Sequence, residues 1–203
     1  MKRVVAAFGF AFLAGCAGQS GTAPPSEPKT VVGAPSDELD QDLQIEFRDH
    51  RVHLGESLDE LKAEVPAAEG AVPVIRLPAG FMSPYEAWGW NKDGVGLGVI
   101  AYRGRIAAAM VVREKGTDDE VVRLYTALKD RDQDSQREAI TGKKAAYWFW
   151  DKGASRYVLC AITVGATERK IIEAIGDRTV LANLRLSPEK AREDIARTDS
   201  EGG

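Results

Sequence analysis

Several groups of side chains in this sequence have the types and spacing that could support chemistry. They are a pair of histidines, a thiol deep in the chain, a glycine run, clustered carboxylates and a set of paired aromatics. His50 and His53 are the only histidines. A His-x-x-His pair ligates a metal when a helix points both imidazoles the same way. Here Val52 and Leu54 alternate with Arg51 and His53, which reads as a strand, and in a strand a spacing of three sends side chains to opposite faces. No Cys or third His completes a set, so no metal site is assigned. Cys160 lies in the apolar run Val158-Leu159-Cys160-Ala161-Ile162. It lacks the positive, partly exposed setting that favours a thiolate, and is expected to be a packed core thiol. Gly94-Val95-Gly96-Leu97-Gly98 has the glycine density of a phosphate loop but neither its Gly-Lys-Ser or Gly-Lys-Thr ending nor a following helix. Glycines on one face of a strand admit a bulky neighbour such as an indole. Asp37, Glu38, Asp40 and Asp42, and later Asp130, Asp132 and Asp134, have no calcium-loop spacing with a closing Glu and read as solvated charge. No catalytic residue and no cofactor are assigned, and the chain is read as a non-enzyme. The alternative is an enzyme whose carboxylates or Cys160 converge only in three dimensions.

The aromatics are the strongest surface candidates. In strands, Trp88 and Trp90 point one way, as do Trp148 and Trp150, while Tyr147 and Phe149 point the other. If the tryptophans form core under helices, Tyr147 and Phe149 are left half-exposed. If they face outward, they form a docking surface, since Trp and Tyr dominate interface energetics. A third possibility is that the aromatic sheet carries a glycan or lipid.

The N-terminus supplies an address. Lys2 and Arg3 precede the mostly apolar Val4 to Leu13, the layout of a secretory signal. The run is shorter than the roughly 20 residues a membrane-spanning helix needs. It ends in Leu13-Ala14-Gly15-Cys16, which resembles the lipobox of bacterial lipoproteins. That resemblance implies removal of residues 1–15 and lipidation of Cys16, and hence attachment to a membrane. Each buried methylene of the acyl chains adds about 0.8 kcal/mol, so such an anchor is stable. In that family an Asp after the Cys marks inner-membrane retention, so Ala17 implies the outer membrane, facing the periplasm. Loss of Lys2 and Arg3 takes the formal charge from −4 to about −6. Nucleic acid and anionic membrane surfaces reward clustered Lys and Arg and are not expected as main partners. With Cys16 lipidated, Cys160 is the sole remaining thiol, so no intramolecular disulfide is expected.

Residues 16–37 are mainly Gly, Ser, Thr, Ala and Pro, including Pro24, Pro25, Pro28 and Pro35. This composition predicts a flexible tether. Residues 38–186 have single-domain length, and residues 187–203 read as a helical or disordered tail with Ser187 as cap and Pro188 at the first helical position.

Within the domain the sequence aligns with itself at an offset of sixty. Trp88-Gly89-Trp90-Asn91-Lys92 overlies Trp148-Phe149-Trp150-Asp151-Lys152, and Ser57, Asp59, Glu60 and Leu61 overlie Thr117, Asp119, Glu120 and Val121. This predicts two repeats, about 51–115 and 116–176. Each opens with a capping box, at Ser57 or Thr117. The first helix has the stripe Leu58, Leu61, Val65, the second Val121, Leu124, Tyr125, Leu128. Strands are expected over 85–90, 95–102 and 105–113, then 144–150, 156–164 and 169–175, the last either strand or helix, with a single strand over 43–54 before them. The expected fold class is α+β, a tandem of helix plus antiparallel meander with the helices on one face of a shared sheet. This pattern, with the Ser-Leu-Asp-Glu-Leu helix start, resembles outer-membrane assembly lipoproteins and β-lactamase-inhibitor proteins. The resemblance implies this fold and a tendency to bind proteins through the sheet face. The lipid tether, the duplicated sheet and the missing catalytic set lead to the expectation of a non-enzymatic module that binds an envelope protein.

Overall fold

The computed structural model describes residues 31–65, 71–72, 77–131 and 135–200. The expected signal, Cys16 and most of the expected tether lie outside them. The fold is α+β, built on an antiparallel sheet.

The chain begins with a hairpin, β1 (Gln44–Phe47) and β2 (His50–His53), and a short helix, α1 (Leu58–Glu64). A meander follows: the two-residue β3 (Ala71–Val72), then β4 (Tyr85–Lys92), β5 (Val95–Tyr102) and β6 (Arg105–Gly116). The longer helix α2 (Asp118–Arg131) leads into β7 (Gln136–Thr141), β8 (Ala145–Lys152), β9 (Ser155–Thr163) and β10 (Arg169–Asp177). Two more helices, α3 (Arg178–Asn183) and α4 (Pro188–Ser200), close the chain. The main sheet has the order β3-β4-β5-β6-β10-β9-β8-β7, and β1-β2 forms a separate ribbon. The two meanders thus meet at β6 and β10.

Local signals explain most of these elements. The Ser57 hydroxyl accepts from the Glu60 N–H and the Thr117 hydroxyl from the Glu120 N–H, so both expected caps satisfy a helix-terminal donor. The β5–β6 turn places Arg103 and Gly104 at φ 51° and 75°, and the β4–β5 turn places Asp93 and Gly94 at 55° and 78°. Two consecutive left-handed residues match the strand twist of a tight hairpin. Trp88 lies opposite Val99 and Trp90 opposite Leu97, while Trp148 lies opposite Leu159 and Trp150 opposite Tyr157. The two hairpins therefore share one register when shifted by sixty residues.

Two differences from expectation have physical causes. Residues 43–54 are a hairpin and not one strand. Leu43, Ile45 and Phe47 are buried, and so are Val52 and Leu54. Odd and even positions cannot share a face in one strand, so the chain turns at Arg48, whose φ is 58°. Secondly, helices cover both faces of the sheet. On one face α1, α2 and the β1–β2 ribbon enclose a core that includes Phe47, Leu61, Trp90, Leu97, Trp150 and Leu159. On the other, α3 and α4 cover Tyr147, Phe149, Val158, Cys160 and Ile172 with Val180, Leu181 and Ala191. Strand β7 was not anticipated from sequence. It forms a sheet edge, and although its burial alternates from Arg137 to Thr141, Glu138 holds one of the two inward positions beside Ile140, so its sequence lacks the apolar–polar alternation of a half-buried strand.

Residues 31–37, expected within the tether, run along the domain. Val32 is buried and its N–H donates to the Gly80 carbonyl. The Tyr85 hydroxyl donates to the Gly33 carbonyl at 2.5 Å, and the Ser36 N–H donates to Asp177.

Candidate functional site

At the middle of the sheet, where the meanders join, a carboxylate stands among apolar residues. Glu173 of β10 pairs with Val111 on one side and Leu159 on the other. Its side chain shares their face, towards α2 and the β1–β2 ribbon. Arg113 of β6 and Tyr157 of β9 each lie one same-face position along, a diagonal that long side chains can span. Both reach Glu173: the Tyr157 hydroxyl donates to Oε1 at 2.6 Å, and the Arg113 guanidinium donates to Oε2. Arg113 Nε also pairs with Glu120 of α2 at 3.0 Å. Glu173 is only 5% exposed. A charge so placed is tolerated only when paired and hydrogen-bonded, and here both of its oxygens are engaged.

This network forms the floor of a cleft of about 280 Å³ between β1, α2 and the sheet. Gln44, Glu46, Arg123, Arg113, Tyr157 and Glu173 supply its polar groups. Ile45, Leu124 and Leu128 supply apolar wall. Two guanidinium groups thus oppose two carboxylates. Among the described residues neither the Gln44 amide nor the exposed Arg123 guanidinium has a hydrogen-bond partner. The arrangement can bind through donors and acceptors on one side and hydrocarbon on the other.

The residues singled out from sequence fall elsewhere. Trp90 and Trp150 are buried under the helices, and Tyr147 and Phe149 are buried on the opposite face. The half-exposure expected of Tyr147 and Phe149 does not arise because α3 and α4 cover that face. Of the six aromatic candidates, Trp88 and Trp148 alone keep partial exposure. The Lys62 ammonium sits 3.9 Å from the Trp88 ring centroid, a cation–π contact. Trp148 packs against Tyr125 with ring centroids 5.8 Å apart, and Tyr125 also meets Trp150 at 5.9 Å. The Trp90 indole N–H donates to the Val65 carbonyl at 3.0 Å, whereas the buried Trp150 N–H has no acceptor among the described residues.

No family model, curated protein or solved structure matches this chain.

Cys160 is fully buried on the α3–α4 face, and the cleft lies on the other side of the sheet. Burial pushes its thiol up to about 12, although a hydrogen bond with the Tyr147 side chain opposes the shift. Burial above all, and then the neighbouring Cys160, push the Tyr147 hydroxyl well above its ordinary range. His50 and His53 both lie half-buried in β2, and no three His, Cys, Asp or Glu side chains converge as a metal site among the described residues. In the first acidic run Asp40 pairs with Lys152 at 3.0 Å. Asp132 and Asp134 of the second run lie outside the described residues.

Sequence reasoning placed Arg113 at a strand end and Glu120 in a cap, but passed over Glu173 and Tyr157 as site residues. A signal was present. Glu173 is the one charge in Ile171-Ile172-Glu173-Ala174-Ile175, and an ionised residue inside a central strand needs partners.

Proposed function

We propose that this chain is a lipoprotein of the bacterial envelope, held by lipid on Cys16 at the outer membrane and facing the periplasm. Its domain acts there as a non-enzymatic module that binds a protein partner. The observation that carries the binding reading is the apolar side of α2. Val122 is 62% exposed and Tyr125 is 37% exposed, and Tyr125 rests on Trp148 and Trp150. A tyrosine held by the half-buried Trp148 and the buried Trp150 loses little freedom on docking, which favours it as an interface anchor. We also read the domain as a duplication of one helix-plus-meander unit. Support comes from the two equivalent caps and from the hairpin registers that coincide at an offset of sixty.

The test combines address and surface. Cys16→Ser should abolish palmitate incorporation and release the protein from the membrane fraction. A photo-crosslinker at position 122 should give one discrete adduct in cells, lost in Tyr125→Glu without a change in melting temperature. Palmitate labelling that survives Cys16→Ser removes the anchor reading. An adduct indifferent to Tyr125 removes the surface.

A further inference from the structure

We infer that the cleft over Glu173 is a binding site for a neutral, hydroxyl-rich ligand, a pyranose sugar unit of one or two rings. The inference does not rest on the partner surface of α2, because the two use different residues of that helix: Arg123 and Leu124 here, Val122 and Tyr125 there.

Size comes first. Small-molecule pockets run to roughly 300–1,000 Å³, and a cleft of about 280 Å³ stands at the lower edge. Charge then narrows the class. An anion drawn to Arg113 and Arg123 also meets Glu46 and Glu173, and a cation meets the reverse. Arg113 and Glu173 already neutralise each other, with Glu120 and Tyr157 completing the network. What the floor offers is therefore not net charge but directed hydrogen bonding: the remaining acceptor capacity of the Glu173 carboxylate, and guanidinium N–H groups. Sugar hydroxyls donate and accept at once, so they serve carboxylate and guanidinium together. The open Gln44 amide and Arg123 guanidinium extend the same pattern towards the rim.

The hydrocarbon wall completes the fit. The half-buried Leu124, backed by the buried Ile45 and Leu128, offers an apolar surface to the C–H face of a pyranose ring while its hydroxyl edge meets the polar floor. Both strongly bound charges are fixed by partners on β6, β9, β10 and α2, so binding requires little ordering, which is the condition for weak polar ligands to be held at all.

The test uses the full chain in detergent solution with cellobiose, maltose and diacetylchitobiose as probes, and with acetate and glycine as charged comparisons. Saturation-transfer NMR should show contact from protein to the ring protons of at least one disaccharide. Arg123→Ala and Gln44→Ala should each weaken that binding about tenfold, which corresponds to roughly 1.4 kcal/mol, at unchanged melting temperature. Silence from all three disaccharides at millimolar concentration overturns the proposal. So does disaccharide contact that neither variant weakens, or displacement of the sugar by acetate or glycine.

Discussion

Glu173 shows how much one side chain can cost and hold together. Its carboxylate is buried between Arg113 and Tyr157, and Arg113 is held in turn by Glu120. Removing the carboxylate alone leaves a largely buried guanidinium with half its partners, a change worth about 3–5 kcal/mol for buried pairs. Glu173→Ala should therefore lower unfolding free energy by about that amount in urea titration, and Glu173→Gln by less. A Glu173→Ala loss under about 0.5 kcal/mol, typical of surface substitutions, would show the network to be peripheral. On the opposite face, Cys160 and Tyr147, together with Tyr85, whose hydroxyl is raised by burial to about 12, contribute to alkaline stability. Burial raises Cys160 and Tyr147 from ordinary values of 9.0 and 10.0, Cys160 to about 12. Between the unfolded and folded values the unfolded chain has lost a proton that the native protein retains, so stability falls as pH rises. The contribution is complete below about pH 9 and drains away above it. Melting temperature should accordingly drop from pH 9 to pH 11, and Tyr147→Phe, which keeps the ring and removes the hydroxyl, should flatten that slope. An identical slope in the variant would refute the assignment. Trp90 and Trp150, alike in sequence and burial, differ in one respect legible only in space: Trp90 has an acceptor at the end of α1 and Trp150 has none among the described residues.

At the scale of elements, close approach matters more than propensity. Strand β10 ends against α3, and a Cβ on Gly176 would lie 2.7 Å from the Ala108 Cβ and 3.0 Å from Leu181. Nothing there can rotate away, because Ala108 has no further atoms and Leu181 is fully buried. Gly176→Ala should destabilise by about 1–3 kcal/mol, the usual range for overpacking, as read from the denaturant midpoint. A neutral result would mean that α3 can lift from the sheet. The same scale shows where sequence patterns carry and where they fail. Ser57 and Thr117 marked both helix starts because a cap is a contact within four residues. The strand-or-helix ambiguity over 169–175 resolves as strand β10, which pairs with both β6 and β9. Periodicity within a short apolar run does not distinguish the two. The β1–β2 turn was legible in principle, since burial switches from odd to even positions between Phe47 and Val52, but a single uninterrupted strand ignores that switch.

For the whole molecule, the decisive feature is that the sheet is covered on both faces. Residues 187–200 are not an appendage: in α4 Ala191 is buried, Ile195 packs against the same core as Tyr147 and Phe149, and Arg192 pairs with Glu138 of β7. A chain ending at Leu186 should therefore bind a hydrophobic dye and melt at clearly lower temperature, as newly exposed aromatic surface would require. An unaltered melting curve would make α4 dispensable. This coverage also removes Tyr147 and Phe149 from the list of accessible aromatics.

What the sequence determined by itself was local or periodic. The helix caps, the tight turns at Asp93-Gly94 and Arg103-Gly104, most strand spans and the burial of Cys160 all follow from residues near one another or from the alternation of one strand. The cleft belonged to the tertiary structure alone. Arg113, Tyr157 and Glu173 come from three different strands, and only the antiparallel docking of β6 on β10 sets them on one face within reach. Register between strands distant in sequence depends on how two faces fill with side chains, and no single segment encodes it.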